Sequence, residues 1–459
     1  MRFAGRGRRR RRGRGGAGST TKPPEAEPRV ERVALPEIEI GSDFRHALDV
    51  IDREGRSAFV TGVAGTGKST LLQYFREITE RQVVVVAPTG IAAVNVGGQT
   101  IHSFFRFPPR LVGPDDIKPG RNRNLYRRLE TLVIDEVSMV RVDVMDGIDR
   151  ALRINRGNEQ PFGGVQVVMF GDPYQLPPVV DDGVREYLER RYGGVYFFDA
   201  PGLKRARPLL IELRERYRHR DQHFITILDA IRNDCLEDHT LDDLNVQVRE
   251  EQAPADREGY VTMTPTNVAA DRINQAMLLA LEGPEHEFQA KLTGQFGDRT
   301  LPTDERLRLR VGARVMTLKN DSQGRWVNGT LGEVTKLSED AVWITTDSGE
   351  HELKRGEWEK VDYRYDAGNQ RIEQKVVGTF VQYPIRLAWA LTIHKAQGQT
   401  FDRTFIDFGR GTFAHGQAYV ALSRCRTLEG TRLGRPVRQG DIQLDPEAVA
   451  YRDVFATED

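Results

Sequence analysis

Eight residues constrain this chain more than any others: Gly62-Val-Ala-Gly-Thr-Gly-Lys-Ser69. They satisfy the pattern GxxxxGK[ST], follow a strand-like apolar run at 57–62 and precede a helical pattern that starts near Lys68. A glycine-rich turn in that setting points backbone N–H groups at phosphate oxygens from a helix N-terminus. Gly62, Gly65, Thr66, Gly67, Lys68, Ser69 and Thr70 are therefore nucleotide-binding candidates. Lys68 would reach the β- and γ-phosphates, and the Ser69 hydroxyl would ligate Mg²⁺. An ordinary glycine-rich strand–helix turn is the competing reading, and the segments downstream argue against it.

The run TLVIDE (131–136) is an apolar strand that ends in two carboxylates. Asp135 is placed to hold Mg²⁺ through water, and Glu136 to polarise an attacking water as general base. Alone, such a pair is more often solvated than catalytic. After a phosphate loop it acquires a role. A kinase does not need both carboxylates there; a hydrolase that drives water onto a γ-phosphate does. Gly171-Asp-Pro-Tyr-Gln175 follows another apolar strand. Gln175 is positioned to touch both the γ-phosphate and a domain interface, against an incidental glutamine in a proline-rich loop. Arg218 and Arg424 are two further candidates that, standing alone, would read as surface ion-pair residues.

A chain of 459 residues exceeds what one core supports, so two to four domains are expected. From about residue 41, strands at 57–62, 83–87, 131–135 and 165–170 alternate with helices, which predicts a parallel sheet covered on both faces. A second α/β set is expected to begin near Leu209, with a helix over 221–232, a strand over 260–264, a helix over 266–281 and a strand over 404–408. Residues 305–380 have a different texture of short β-strands and Gly turns, read as a small β domain inserted in the second α/β domain. The resulting plan is a tail and linker at 1–40, a first α/β domain at 41–205 with a short insertion at 106–128, and a second at 206–304 and 381–459.

Net charge is formally zero, yet residues 1–18 hold eight arginines and no acid, which leaves 59 basic and 67 acidic residues elsewhere. Any nucleic-acid contact of the body must then run through a local channel and not bulk charge. The tail itself reads as a flexible nucleic-acid arm, an inert solvated segment or a start placed too early, in preference to an organelle-targeting peptide, for which no amphipathic helix can be drawn; it lacks the apolar region of a secretory signal. Only Cys235 and Cys425 are present, which excludes a disulfide framework and fits a reducing, cytoplasmic setting, nucleoid-associated if bacterial. No apolar run approaches the ~20 residues of a membrane helix, so no membrane partner is expected.

The segments APTGIAAVNVGGQTIHSFF (87–105), DEVSMV (135–140), PFGGVQVVMFGDPYQLPPV (161–179), YRHRD (217–221), TPTN (264–267), WVNGTLGEV (326–334), AWALTIHKAQGQTF (388–401) and AYVALSR (418–424) occur in that order. Together they resemble the Pif-one-like helicases, the RecD-related branch of superfamily one, over nearly all of 41–435. The resemblance implies two RecA-like parallel-sheet domains with ATP between them and a small barrel-like β insertion in the second. It also implies single-stranded DNA across both domains, 5′-to-3′ movement and unwinding of duplex or fork junctions. Lys68, Asp135, Glu136, Gln175, Arg218 and Arg424 fall on its catalytic positions. Ser69 and Asp135 fall on its Mg²⁺ positions. Tyr217 falls where related motors stack on adenine, and Gly398 on the nucleotide side. Thr89, Gly90, His102, Thr266, Asn267, His394 and Lys395 fall on DNA-contact motifs. Two departures are Phe44, where an adenine-reading glutamine is usual, and His219, where glutamine is usual. A monomer is expected.

Phe104, Phe105 and Trp389 are stacking candidates for bases, with core packing as the alternative. A DNA-stimulated ATPase that remodels protein–DNA complexes without unwinding is the second functional reading. A nucleotide kinase leaves Arg424 and the whole of 209–435 without a role.

Overall fold

Short, almost wholly apolar strands set the architecture. The computed structural model describes residues 41–120, 123–217, 221–249, 259–296, 301–366, 368, 370–409, 411–412 and 414–457. The arginine-rich tail, the linker and Arg218 lie outside the described residues. In the first domain β1 (Ala58–Gly62), β2 (Val83–Ala87), β3 (Gln99–Thr100), β4 (Thr131–Ile134), β5 (Gln166–Phe170) and β6 (Leu209–Leu213) form one parallel sheet in the order β3-β2-β4-β5-β1-β6. Every residue of β1, β4 and β5 is buried, as expected where helices cover both faces. The helices Lys68–Ile78 and Val142–Arg156 supply part of that cover, the first through Leu71, Leu72 and Phe75.

The strand expected to open the second domain belongs to the first. Leu209–Leu213 pairs in register with all five residues of β1. The chain's end also returns here: Leu210 N–H donates to Ala456 O at 2.8 Å, and the Phe455 ring lies 4.9 Å from Phe59. The boundary at 205/206 and the assignment of the whole of 381–459 to the second domain are therefore corrected.

The second sheet is smaller and also parallel. β7 (Val261–Thr264) lies between strands that come more than 120 residues later. The intervening insertion is antiparallel and wider than 305–380: β8 (His286–Gln289), β9 (Lys291–Gly294), β10 (Arg306–Leu309), β11 (Arg314–Thr317), β12 (Leu331–Leu337), β13 (Val342–Thr346), β14 (Gly349–Leu353), β15 (Gly356–Asp366), β16 (Arg371–Gln382) and β17 (Ile385–Leu387). β8 pairs with β10, β9 with β16 and β17 with β11, so 286–387 forms one unit. Its core includes Leu307, Val315, Trp326, Val334, Ile344 and Ile385. The second sheet then resumes with β18 (Ala390–Thr392), β19 (Thr404–Ile406) and β20 (Thr431–Leu433), in the order β18-β7-β19-β20.

The long β15–β16 hairpin reaches back to the first domain. Val85 N–H donates to the Tyr363 hydroxyl at 3.2 Å, Ile372 N–H to Gln82 Oε1 at 2.7 Å, and Gln99 Nε2 to Asp362 Oδ1 at 3.0 Å.

Candidate nucleotide and nucleic-acid sites

The order β4-β5-β1 makes three loops neighbours at one sheet edge. In parallel sheets ligands bind outside the carboxyl ends of the strands. The loop after β1 carries Gly62–Ser69, the one after β4 carries Asp135 and Glu136, and the one after β5 carries Gly171–Gln175. They border a cleft of about 720 Å³ whose other wall comes from the second domain, through Gly398, Thr400, Arg424, Arg426 and Thr427.

Within it, the Lys68 ammonium spans the loop, donating to Gly62 O at 2.7 Å and Val63 O at 3.1 Å. Gly67 N-caps the following helix at φ +82, and a Cβ there would meet the buried Phe44 ring at 2.9 Å, so only glycine fits. Gly65, Ser69 and Thr70 line the cleft; Gly62 and Thr66 lie behind it and shape the loop, Thr66 donating to Val63 O. Tyr217 is half-exposed at the mouth, tied to the loop by its N–H to Gly65 O at 2.9 Å and set edge-on to Phe44 at 6.2 Å.

The carboxylates are deeply buried. Burial pushes Asp135 up to about 7, helped by the adjacent Glu136 charge and opposed by Lys68. Burial raises Glu136 as well, against the pull of Lys68 and Arg424. A base shifted upward in this way is suited to taking a proton near neutral pH. Glu136 sits at φ +49, outside the region ordinary side chains favour, a strain of the kind found where geometry serves a site. Arg424 is fully buried; its guanidinium donates to Val420 O at 2.9 Å and Ser423 Oγ at 2.8 Å.

Several site residues escaped the sequence reading. Gln397 of the second domain donates 3.2 Å bonds to both Glu136 Oε2 and Gln175 Oε1. It stands inside the quoted segment 388–401, between Lys395 and Gly398, but nothing in its type marked it out. Tyr419 accepts from the Ala64 N–H of the phosphate loop at 3.1 Å. At the foot of Gln175, Asp172 accepts from Gln175 Nε2 at 3.4 Å and from Arg232 Nη2 at 3.3 Å, while Arg232 lies over the Tyr174 ring at 4.0 Å. Here a signal did exist. The helix Gln222–Arg232 buries Phe224, Ile227, Leu228 and Ile231, and Arg232 falls on the same stripe. Gly416 closes the contact: at φ +69 a Cβ would meet Tyr174 O at 2.5 Å.

An arginine buried on one domain against an aspartate buried on the other leaves a naked charge when cut. Arg232→Met should cost about 3–5 kcal/mol of stability. Urea melts in a cycle with Asp172→Asn test this: additive effects in the double variant would show that the pair does not interact.

The nucleic-acid candidates divide. Ile91, beside Thr89 and Gly90, and Lys395 border one cleft of about 660 Å³, together with Ala270, Asp271 and Asn274 of the helix Asn267–Ala280. Thr89 and Thr266 cap the helices that face it, accepting from Ala92 N–H and Ala269 N–H. Thr266, Asn267 and Lys395 are exposed. Burial lowers His394, and burial with the Arg141 charge lowers His102, so both rings are neutral hydrogen-bonding groups near pH 7 and not cations. Phe104 is corrected: it is 5% exposed, its ring packed against Phe105, Tyr126 and Tyr363, and it has no face for a base. Phe105 is equally core, and Trp389 is partly buried against the insertion's core.

Comparison with known proteins agrees with this geometry. The PIF1-like helicase family matches residues 42–193, and the 2B domain of the DNA helicase Pif1 matches 298–337. An ATP-dependent DNA helicase Pif1 of Bdellovibrio bacteriovorus is 32% identical over 91% of this chain and 93% of its own. An ATP-dependent DNA helicase PIF1 of Mus musculus is 34% identical over 86% of this chain, which spans 59% of the mouse protein. The Pif1 of a Bacteroides species is 37% identical over 91% of this chain and 97% of that one, with a TM-score of 0.85 to its complex with ADP-AlF4 and 0.66 to its complex with single-stranded DNA.

Proposed function

The chain belongs to the PIF1-like helicase family, and from that premise we propose that it couples ATP hydrolysis in the interdomain cleft to 5′-to-3′ movement along single-stranded DNA. It is an ATP-dependent DNA helicase with two RecA-like domains. The observation that carries the coupling is Gln397, one side chain of the second domain bonded at once to Glu136 and Gln175 of the first.

The chain's own groups divide the work as follows. The loop N–H groups and Lys68 hold the phosphates at the head of the helix Lys68–Ile78. Glu136 takes the proton from the water that attacks the γ-phosphorus. Arg424, opposite it, offsets charge developing on the γ-phosphoryl oxygens as the bond to ADP breaks. The oxygen donors Ser69 and Asp135, both on the cleft wall, suit Mg²⁺, which when bound would neutralise the β- and γ-phosphate oxygens. Loss of the γ-phosphate removes the ligand that both domains grip, so the cleft loosens and a strand lying across both domains is held alternately.

Duplexes with a 5′ single-stranded tail should be unwound in the presence of ATP, and those with only a 3′ tail should not. Strand-displacement assays on the two substrates decide this. Efficient displacement from 3′ tails alone would reverse the proposed polarity.

A further inference from the structure

At the opposite end of the first sheet, a third cleft of about 770 Å³ runs beneath the amino ends of the strands. A five-residue strand at about 3.3 Å per residue separates it from the nucleotide by some ~16 Å, so it is no part of that site. Its lining holds five arginines, Arg81, Arg127, Arg128, Arg156 and Arg205, and a single carboxylate, Glu130. In a body whose acids outnumber its bases, this is a local reversal of sign.

The positive charge is held in place but not cancelled. Arg156 donates to four backbone carbonyls, those of Gly163, Tyr126, Arg127 and Leu129, at 2.6–3.0 Å. The Arg81 guanidinium donates to Asp52 O, at 3.0 and 3.2 Å. Those partners are neutral. Among the described residues, Arg205 alone of the five meets an acid, Asp149 at 3.3 Å, and shares it with Arg153. Arg127 and Arg128 stand exposed at the end of the helix Arg123–Arg128. The adjoining turn Pro161–Gly164, from the segment PFGGVQVV that the nucleotide site does not use, sets Phe162, Gly163 and Gly164 at φ +53, +62 and +72. Arg156 clamps this turn through Gly163 O, so the cleft wall is rigid.

We propose that this cleft binds the phosphate backbone of the duplex arm of a forked DNA, outside the single-strand path. Several guanidiniums spread along an open groove suit a repeating anion better than a single small one, and arginine is the side chain best matched to phosphate. The proposal rests on the helicase reading, since it supposes that DNA is already engaged.

The test uses the full chain with Arg127→Glu/Arg128→Glu, and with Arg127→Ala/Arg128→Ala as the milder version; both residues are exposed and neither belongs to the nucleotide site. Affinity is measured by fluorescence anisotropy, across a salt series, for a single-stranded oligonucleotide and for a fork carrying the same tail. The charge reversal should weaken fork binding about tenfold at low salt and flatten its salt slope by about 1.8, two duplex contacts at about 0.9 each. Single-strand affinity and single-strand-stimulated ATP turnover should stay at the unaltered level. Fork affinity and slope equal to those of the unaltered protein would overturn the proposal. So would an equal loss on both DNAs, which would place the arginines in the single-strand channel. Unchanged fork binding with a lost response to polyglutamate would assign the cleft to an acidic protein and equally overturn it. Failure of the helicase reading is distinct: the unaltered protein would then show no single-strand-stimulated turnover.

Discussion

Lys68→Ala abolishes ATP hydrolysis and leaves single-strand binding measurable: that is the expected result of the most disruptive substitution in the cleft. Lys68 is the only lysine of the phosphate loop, and its ammonium already spans the loop between Gly62 O and Val63 O. With nucleotide present it is the group that meets the β- and γ-phosphates, and among the described residues no other cation of the first domain lines the cleft. None of the groups proposed to touch DNA lines the nucleotide cleft, and Lys395 borders a different one, so DNA contact should survive the change. Steady-state phosphate release and anisotropy on labelled oligonucleotide measure the two arms. Undiminished turnover in the purified variant would sink the assignment of the nucleotide site.

Arg424→Ala should bind nucleotide almost normally and lose turnover by about 10³–10⁵, the range for arginines that stabilise transferring phosphoryl groups. The physical ground is the arrangement of charge around Glu136. Burial lowers the Arg424 guanidinium, yet an arginine stays charged, and its hydrogen bonds go to neutral acceptors. Its charge is therefore still available to an anion that appears opposite it. Removing it also leaves buried acceptors with fewer donors, at a cost of about 1–3 kcal/mol, so a thermal melt must accompany the assay. Arg424→Lys keeps the charge but not the planar fork and should recover only part of the rate. Loss of nucleotide binding with kcat retained would make Arg424 a ground-state contact.

What could be read in advance was what lies in contiguous sequence. The phosphate loop, the Asp135–Glu136 strand end and the Gln175 loop each carry strand, turn and chemistry within about a dozen residues, and the sheet order then brings them together. Pairing across long separations was not legible. Leu209–Leu213 reads as a buried parallel strand in either domain, because such a strand looks the same whichever sheet it joins. The insertion was cut short at both ends because β8 and β17 find their partners through β10 and β11, not through local pattern. Phe104 illustrates a different limit: an aromatic in a DNA-contact motif and an aromatic in a core look alike until Tyr363, more than 250 residues later, packs against it. Arg232 was legible and missed, since a charge on an apolar helix stripe implies a buried partner.

The return of the C-terminal residues to the first domain has a mechanical consequence. The second domain is a loop of chain fastened at both ends, once where it leaves β6 and once where Asp445 accepts from the Tyr196 hydroxyl at 2.6 Å and Ala456 joins the sheet edge. A body held by one strap can swing and twist freely; one held by two pins turns about the line that joins them. Together with the β15–β16 hairpin, which also reaches the first domain, these pins should restrict the directions in which the nucleotide cleft can open, so that hydrolysis would drive displacement along few paths instead of many. A break in the polypeptide within the second domain would leave both halves attached to the first, whereas removing residues 445–459 would free one pin and let the stroke wander.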